Sequence, residues 1–174
     1  MISPEQDHTE VVKYLESSLP SVAFSLTTGE MLDQLLTTSI TKQCDSVRPI
    51  TVENLASKVL ENPKYEGSSR YVQFHHMLMA RIARSAGDTA ATLDHLERAV
   101  DIAPSDDLNM MTVTTLVEAG RFAQARAFIE AARNKMPHQP LQRYYSGRNL
   151  DELLLYVNEA EKLDKNNVGQ HYGE

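Results

Sequence analysis

The sequence predicts an all-α fold, and three observations carry that expectation. Apolar residues recur at three- and four-residue spacing over most of the 174 residues. Helix-start signatures, a short polar residue followed three positions on by an acid or amide, stand in front of several of these stripes. Strand-like alternation is confined to one short stretch, Ser21 to Leu26 (SVAFSL).

The first helix is expected over 3–18, where Ser3 caps, Pro4 fills the first helical position and Gln6 follows three residues after the cap. Thr27-Thr28-Gly29-Glu30 opens a second over 28–42, with Met31, Leu32, Leu35, Leu36 and Ile40 as its stripe. Val52, Leu55, Ala56, Val59 and Leu60 mark a third over 51–61. No proline falls between Pro63 and Pro104, which leaves room for helices over 69–86 and 89–103. Two more follow over 105–119 and 122–136. Asn149-Leu150-Asp151-Glu152 repeats the cap-then-acid spacing, and Leu150, Leu153, Leu154, Val157 and Ala160 give a last helix over 149–164. Acids in these first turns suit the positive helix end, so Asp106-Asp107 and Asp151-Glu152 need no catalytic explanation.

The most specific signal is a self-match with a period of 33 residues: Gly87 and Gly120, Leu96 and Ile129, Ala99 and Ala132, Pro104 and Pro137. The two units read AGDTAATLDHLERAVDIAP and AGRFAQARAFIEAARNKMP. Each is Ala-Gly, a short turn, a helix ending near an alanine, then a proline. Glycine supplies a positive φ at the turn, and proline stops the chain before the next unit. A period of 33–34 with two helices per unit marks a helical solenoid.

This pattern resembles the tetratricopeptide repeat (TPR), whose second half reads Gly-x4-Ala-x3-aromatic or aliphatic-x2-Ala-x4-Pro. Gly120, Ala125, Ile129, Ala132 and Pro137 match it fully; Gly87, Leu96, Ala99 and Pro104 match it with Thr92 in place of the small alanine. The first-half signature of Trp, Leu-Gly and Tyr is absent, with Met79, Ala80 and Ala83 in one unit and Thr112, Val113 and Leu116 in the other. The resemblance covers residues 70–137 and, more loosely, 138–164. It implies a short α-α superhelix of TPR-like hairpins with extra N-terminal helices and a C-terminal capping helix. The expected division is an N-terminal helical region, 1–65, packing on a repeat region, 66–174.

A thinner resemblance concerns the first 65 residues. Leu19-Pro20, Phe24, Cys44-Asp45-Ser46-Val47-Arg48-Pro49 and Asn62-Pro63, followed by TPR-like hairpins, are similar to soluble tails of polytopic bacterial membrane proteins of the polysaccharide-polymerase type.

Composition narrows the function classes. With 17 basic and 24 acidic side chains the net charge is −7, which disfavours non-specific binding to nucleic acid or an anionic membrane. One cysteine, Cys44, can form neither an internal disulfide nor a thiolate cage, and Asp45 beside it opposes its ionisation. The absence of tryptophan and 6% aromatics leave little for a stacking platform. Met1 to Asp7 is polar and acidic rather than a secretory leader, and the apolar stretch Leu153 to Val157 is far shorter than the about 20 residues a bilayer needs. The expectation is a soluble chain, cytoplasmic by default. A chain of this length also suits a piece of a longer protein, and the alternative is a periplasmic domain.

No phosphate loop, HExxH or Gly-x-Ser-x-Gly motif occurs. His75, His76 and His95 are the only clustered histidines; a hairpin of their helices would bring His76 near His95, with Asp94 alongside. Zinc wants three or four converging ligands, and adjacent helical residues point about 100° apart, so structural roles are favoured for all three. No enzyme, cofactor or metal is expected. Arg70, Arg81 and Arg84 on one helix, and Arg121, Arg126 and Arg133 in the second unit, offer small basic surfaces or simply solvated faces.

The resemblance implies a partner-binding concave face lined by the first helix of each hairpin: Phe74, Met77, Arg81 and Arg84, then Met110, Thr114 and Val117. Methionines and an aromatic beside arginines form an adaptable apolar groove with charge selectivity; plain packing is the alternative for the methionines. The TPR carboxylate clamp is not matched, since Met77, Arg81 and Met111 stand at clamp-like places. The expected function is a non-enzymatic scaffold for a protein or peptide partner. The alternative is a soluble helical domain of a larger bacterial membrane protein handling polysaccharide or glycan.

Overall fold

The computed structural model describes residues 8–18, 31–37, 49–60, 69–135 and 140–170. These residues form eight helices: α1 (His8–Ser18), α2 (31–37), α3 (Pro49–Leu60), α4 (Ser69–Ser85), α5 (Thr89–Ile102), α6 (Asp106–Glu118), α7 (Phe122–Asn134) and α8 (Pro140–Gln170). No strand occurs among the described residues. The candidate extended stretch at 21–26, the caps at Ser3 and Thr27–Glu30, Cys44 and Pro137 lie outside them. The chain divides into two compact units, Met1–Ile102 and Ala103–Glu174.

In the first unit the apolar stripes expected from spacing form one core. Leu15 of α1, Leu32, Leu35 and Leu36 of α2, Val52, Leu55 and Ala56 of α3, and Tyr71 and Leu78 of α4 are all buried there. The Tyr71 hydroxyl, itself buried, donates to the Ala56 carbonyl of α3 at 2.7 Å, so the one polar atom of a large core side chain is satisfied. α4 and α5 form a hairpin. Its pairings run oppositely along the two helices: Gln73 Nε2 reaches the Ala99 carbonyl at 3.5 Å, and His76 meets His95.

In the second unit α6, α7 and α8 pack against one another. Leu108, Val113 and Leu116, Ala125 and Ile129, and Leu150, Leu153 and Val157 are buried. α6 starts as its sequence demands, with the Ser105 hydroxyl accepting from the Leu108 N–H at 3.3 Å and Asp106 and Asp107 in the first turn. Its buried Thr112 and Thr115 hydroxyls donate to the Leu108 and Met111 carbonyls one turn back.

The last helix corrects its expected bounds of 149–164. α8 starts at Pro140 and runs 31 residues, carrying Gly147 and Asn149 inside it. Proline suits a first helical position. An interior glycine costs about 1 kcal/mol relative to alanine, which burial of Leu150, Leu153 and Val157 outweighs. Asn149 therefore caps nothing, and its buried side-chain oxygen has no hydrogen-bond partner.

The two hairpin turns match each other in structure. Gly87 and Gly120 have positive φ, 77° and 69°. Gly87 N–H donates to Arg84 O at 3.0 Å and Asp88 N–H to Ala83 O at 2.9 Å; Gly120 N–H donates to Val117 O at 2.9 Å and Arg121 N–H to Leu116 O at 2.8 Å. Both are Schellman turns with glycine in the left-handed position. The next helices restart in the same register, with Thr92 N–H on Asp88 O and Ala125 N–H on Arg121 O, each at 3.0 Å. Thr92 fits where alanine was expected because its buried hydroxyl donates back to the Asp88 carbonyl at 2.7 Å.

Candidate functional site

On α4, Phe74, Met77, Arg81 and Arg84 follow one another at helical spacing, yet they have different surroundings. Phe74 is half-buried and packs on the core of the first unit, its ring 6.5 Å from that of Tyr71. Arg81 is turned to α2: Nη1 pairs with Asp33 Oδ1, and Nη2 donates to Thr37 Oγ1 at 3.0 Å. Burial lowers the pKa of this guanidinium below its ordinary value. Arg81 therefore ties α4 to α2. Met77 is half-buried and Arg84 exposed.

On α6, Met110 is 48% exposed, while Thr114 and Val117 are half-buried. The Thr114 hydroxyl donates to the Met110 and Met111 carbonyls, at 2.9 and 3.1 Å, and so is occupied within its own helix.

The histidines come together between α4 and α5. His76 Nδ1 and His95 Nδ1 are 3.1 Å apart. Their ring centroids are 5.4 Å apart, so the two nitrogens face each other nearly head-on. His75 lies edge-to-face against His76 at 5.5 Å. Burial pushes the His75 pKa down to about 4, and the charges of His76 and His95 add to this. His76 is lowered as well, by burial first, then by His95 and Arg98, with Asp94 acting the other way. Asp94 does not complete a ligand set; it pairs with Arg98 at 3.0 Å. Among the described residues no group of three or more His, Cys, Asp or Glu is disposed to hold a metal ion.

Spacing did not anticipate the contacts between α7 and α8. Arg126 pairs with Glu161 at 2.8 Å and donates to Asn158 at 3.2 Å, and Arg133 pairs with Asp151 at 2.6 Å; within α8 itself, Lys165 pairs with Glu161 at 3.0 Å. Position advances along α7 as it recedes along α8, so the two helices are antiparallel. The hydrogen bonds from Lys165 and then Arg126 hold the Glu161 carboxyl below its ordinary pKa. An open groove of about 410 Å³ lies beside this cluster, lined by Gly120 to Gln124, Arg126 and Glu161. No sequence motif marks it, because its walls belong to helices whose mutual register is tertiary.

Among the described residues no helix is long and apolar enough to cross a membrane. No protein-family model matches the chain, and no curated protein or solved structure matches it.

Proposed function

We propose that this chain is a non-enzymatic interaction scaffold of TPR-like kind, taking a protein or peptide partner on side chains carried by the first helix of each hairpin. What supports this most is the pair of Schellman turns 33 residues apart, with the same hydrogen bonds and the same glycine conformation. A sequence period that returns as a structural period is the behaviour of a repeat unit, and repeated helical hairpins are built for binding surfaces.

Each unit is taken by itself: the contact residues are Met77 and Arg84 on α4 in the first, and Met110, Thr114 and Val117 on α6 in the second. Met110 offers the kind of flexible, polarisable surface that adapts to a partner. Phe74 and Arg81 act from beneath, holding α4 against the core and against α2.

The test is affinity capture with the full chain, followed by titration of the purified partner against wild type, Met110→Glu and Arg84→Glu. Either substitution at a contact position should weaken binding about tenfold or more, a loss of roughly 1.4 kcal/mol. A partner held by both variants as tightly as by wild type would refute these contact residues.

A further inference from the structure

The His76–His95 contact has a proton requirement built into its geometry. A neutral imidazole carries one N–H and one lone pair, and a cationic one carries two N–H groups. Two Nδ1 atoms 3.1 Å apart and facing each other need one hydrogen between them. The neutral pair satisfies this with one ring as the Nδ1–H tautomer and the other as Nε2–H. A first added proton is accepted without opening the contact, as a charged N–H donating to a lone pair, which is stronger than the neutral bond. A second sets N–H against N–H and cation against cation, and the contact must part.

The surroundings supply no net charge that would hold the doubly protonated pair together. The charges that act on His76 come from α5: His95 and Arg98 oppose protonation and Asp94 favours it. Arg98 and Asp94 are paired with each other, so their influences largely offset. From α4 itself His75 lies against the pair; it is half-buried, and burial keeps it uncharged well into acid. Histidine is the side chain suited to a change driven by protonation.

We propose that His76 and His95 form a one-proton clasp across the α4–α5 hairpin, closed when the pair holds no added proton or one, and released on acidification by the second. This makes the hairpin an acid-sensitive element of the first unit, whether or not it carries a partner surface.

The test is a pH titration of the 15N-labelled full chain from pH 8 to pH 4, following the imidazole nitrogens by NMR and backbone amide protection by hydrogen exchange corrected for intrinsic rates. At pH 8 one ring of the pair should be the Nδ1–H tautomer. The pair should titrate in two steps separated by more than about one pH unit. Protection across α4 and α5 should fall at least tenfold with the second step. His76→Gln and His95→Gln, each checked for helicity at pH 7.5, should remove most of that fall. His75→Gln should leave both titration steps in place. Two Nε2–H tautomers titrating with a single midpoint would overturn the proposal, as would an undiminished loss of protection in the glutamine variants. Should those variants fail to fold, the wild-type tautomers and step separation decide it alone.

Discussion

Gly87→Ala and Gly120→Ala isolate the cost of a left-handed backbone from steric cost. Their φ values are 77° and 69°, and a Cβ added at either meets no atom within 4 Å. The methyl group brings no clash, so the penalty is the intrinsic one for an L-residue in this region, about 1–2 kcal/mol. Alanine also narrows the unfolded ensemble, which returns about 0.4–1 kcal/mol. The expected net loss is about 1 kcal/mol at each site, and less for asparagine, which tolerates the left-handed region better. Urea unfolding followed by circular dichroism should show a lower midpoint with an unchanged slope. The melting temperature should fall by about 2–4 °C for each kcal/mol. Because the two turns share their hydrogen bonds, the two losses should agree within about 0.5 kcal/mol. A loss above about 3 kcal/mol would mean that Cβ meets packed atoms. No loss, or asparagine worse than alanine, would mean that the glycines are not left-handed. A large difference between the sites would refute the equivalence of the hairpins.

Three further predictions concern the first unit. Tyr71→Phe keeps the ring and removes the buried bond to Ala56 O, so urea unfolding should show a loss of about 1–1.5 kcal/mol; an unchanged midpoint would remove that bond from the account. Arg81→Met keeps the aliphatic stem and breaks the links to Asp33 and Thr37. Partial exposure limits the loss to about 1 kcal/mol, and a double-mutant cycle with Asp33→Asn that shows no coupling would refute the α4–α2 tie. His75 makes stability pH-dependent. The unfolded histidine binds a proton near pH 6.5 and the folded one near pH 4, because burial, and then His76 and His95, disfavour its charge. Stability is therefore undiminished by this group above about pH 6.5, falls between 6.5 and 4, and is flat below. Solvent screening of this half-buried ring reduces the fall to about 1–2 kcal/mol. Subtracting the curve for His75→Leu from that of wild type should recover this fall; identical slopes would contradict it.

Several features were legible because they are decided within a few residues. The Ala-Gly dipeptides announced turns with positive φ, and Asp106 with Asp107 marked the first turn of the helix expected from 105. The stripes of Leu32, Leu35 and Leu36, and of Val52, Leu55 and Ala56, announced buried faces. Local signals failed where packing outweighed them. Asn149 looks like a cap, yet it lies inside α8, as does Gly147, because the buried stripe that follows holds the helix together. The approach of His76 to His95 was foreseeable once their helices were placed in a hairpin, but its head-on geometry was not. Arg81 looked like a surface cation because nothing in its own helix reveals that Asp33, 48 positions away, receives it.

The sequence alone determined the helical class, the glycine turns and the faces that go inward, since these follow from backbone sterics and from a 3.6-residue period. Tertiary structure decided which polar groups meet: Arg81 with Asp33, His76 with His95, and Arg126 with Glu161. The reason is register. One residue of slip turns a helical side chain through about 100°, and no local pattern along one helix specifies its register against another.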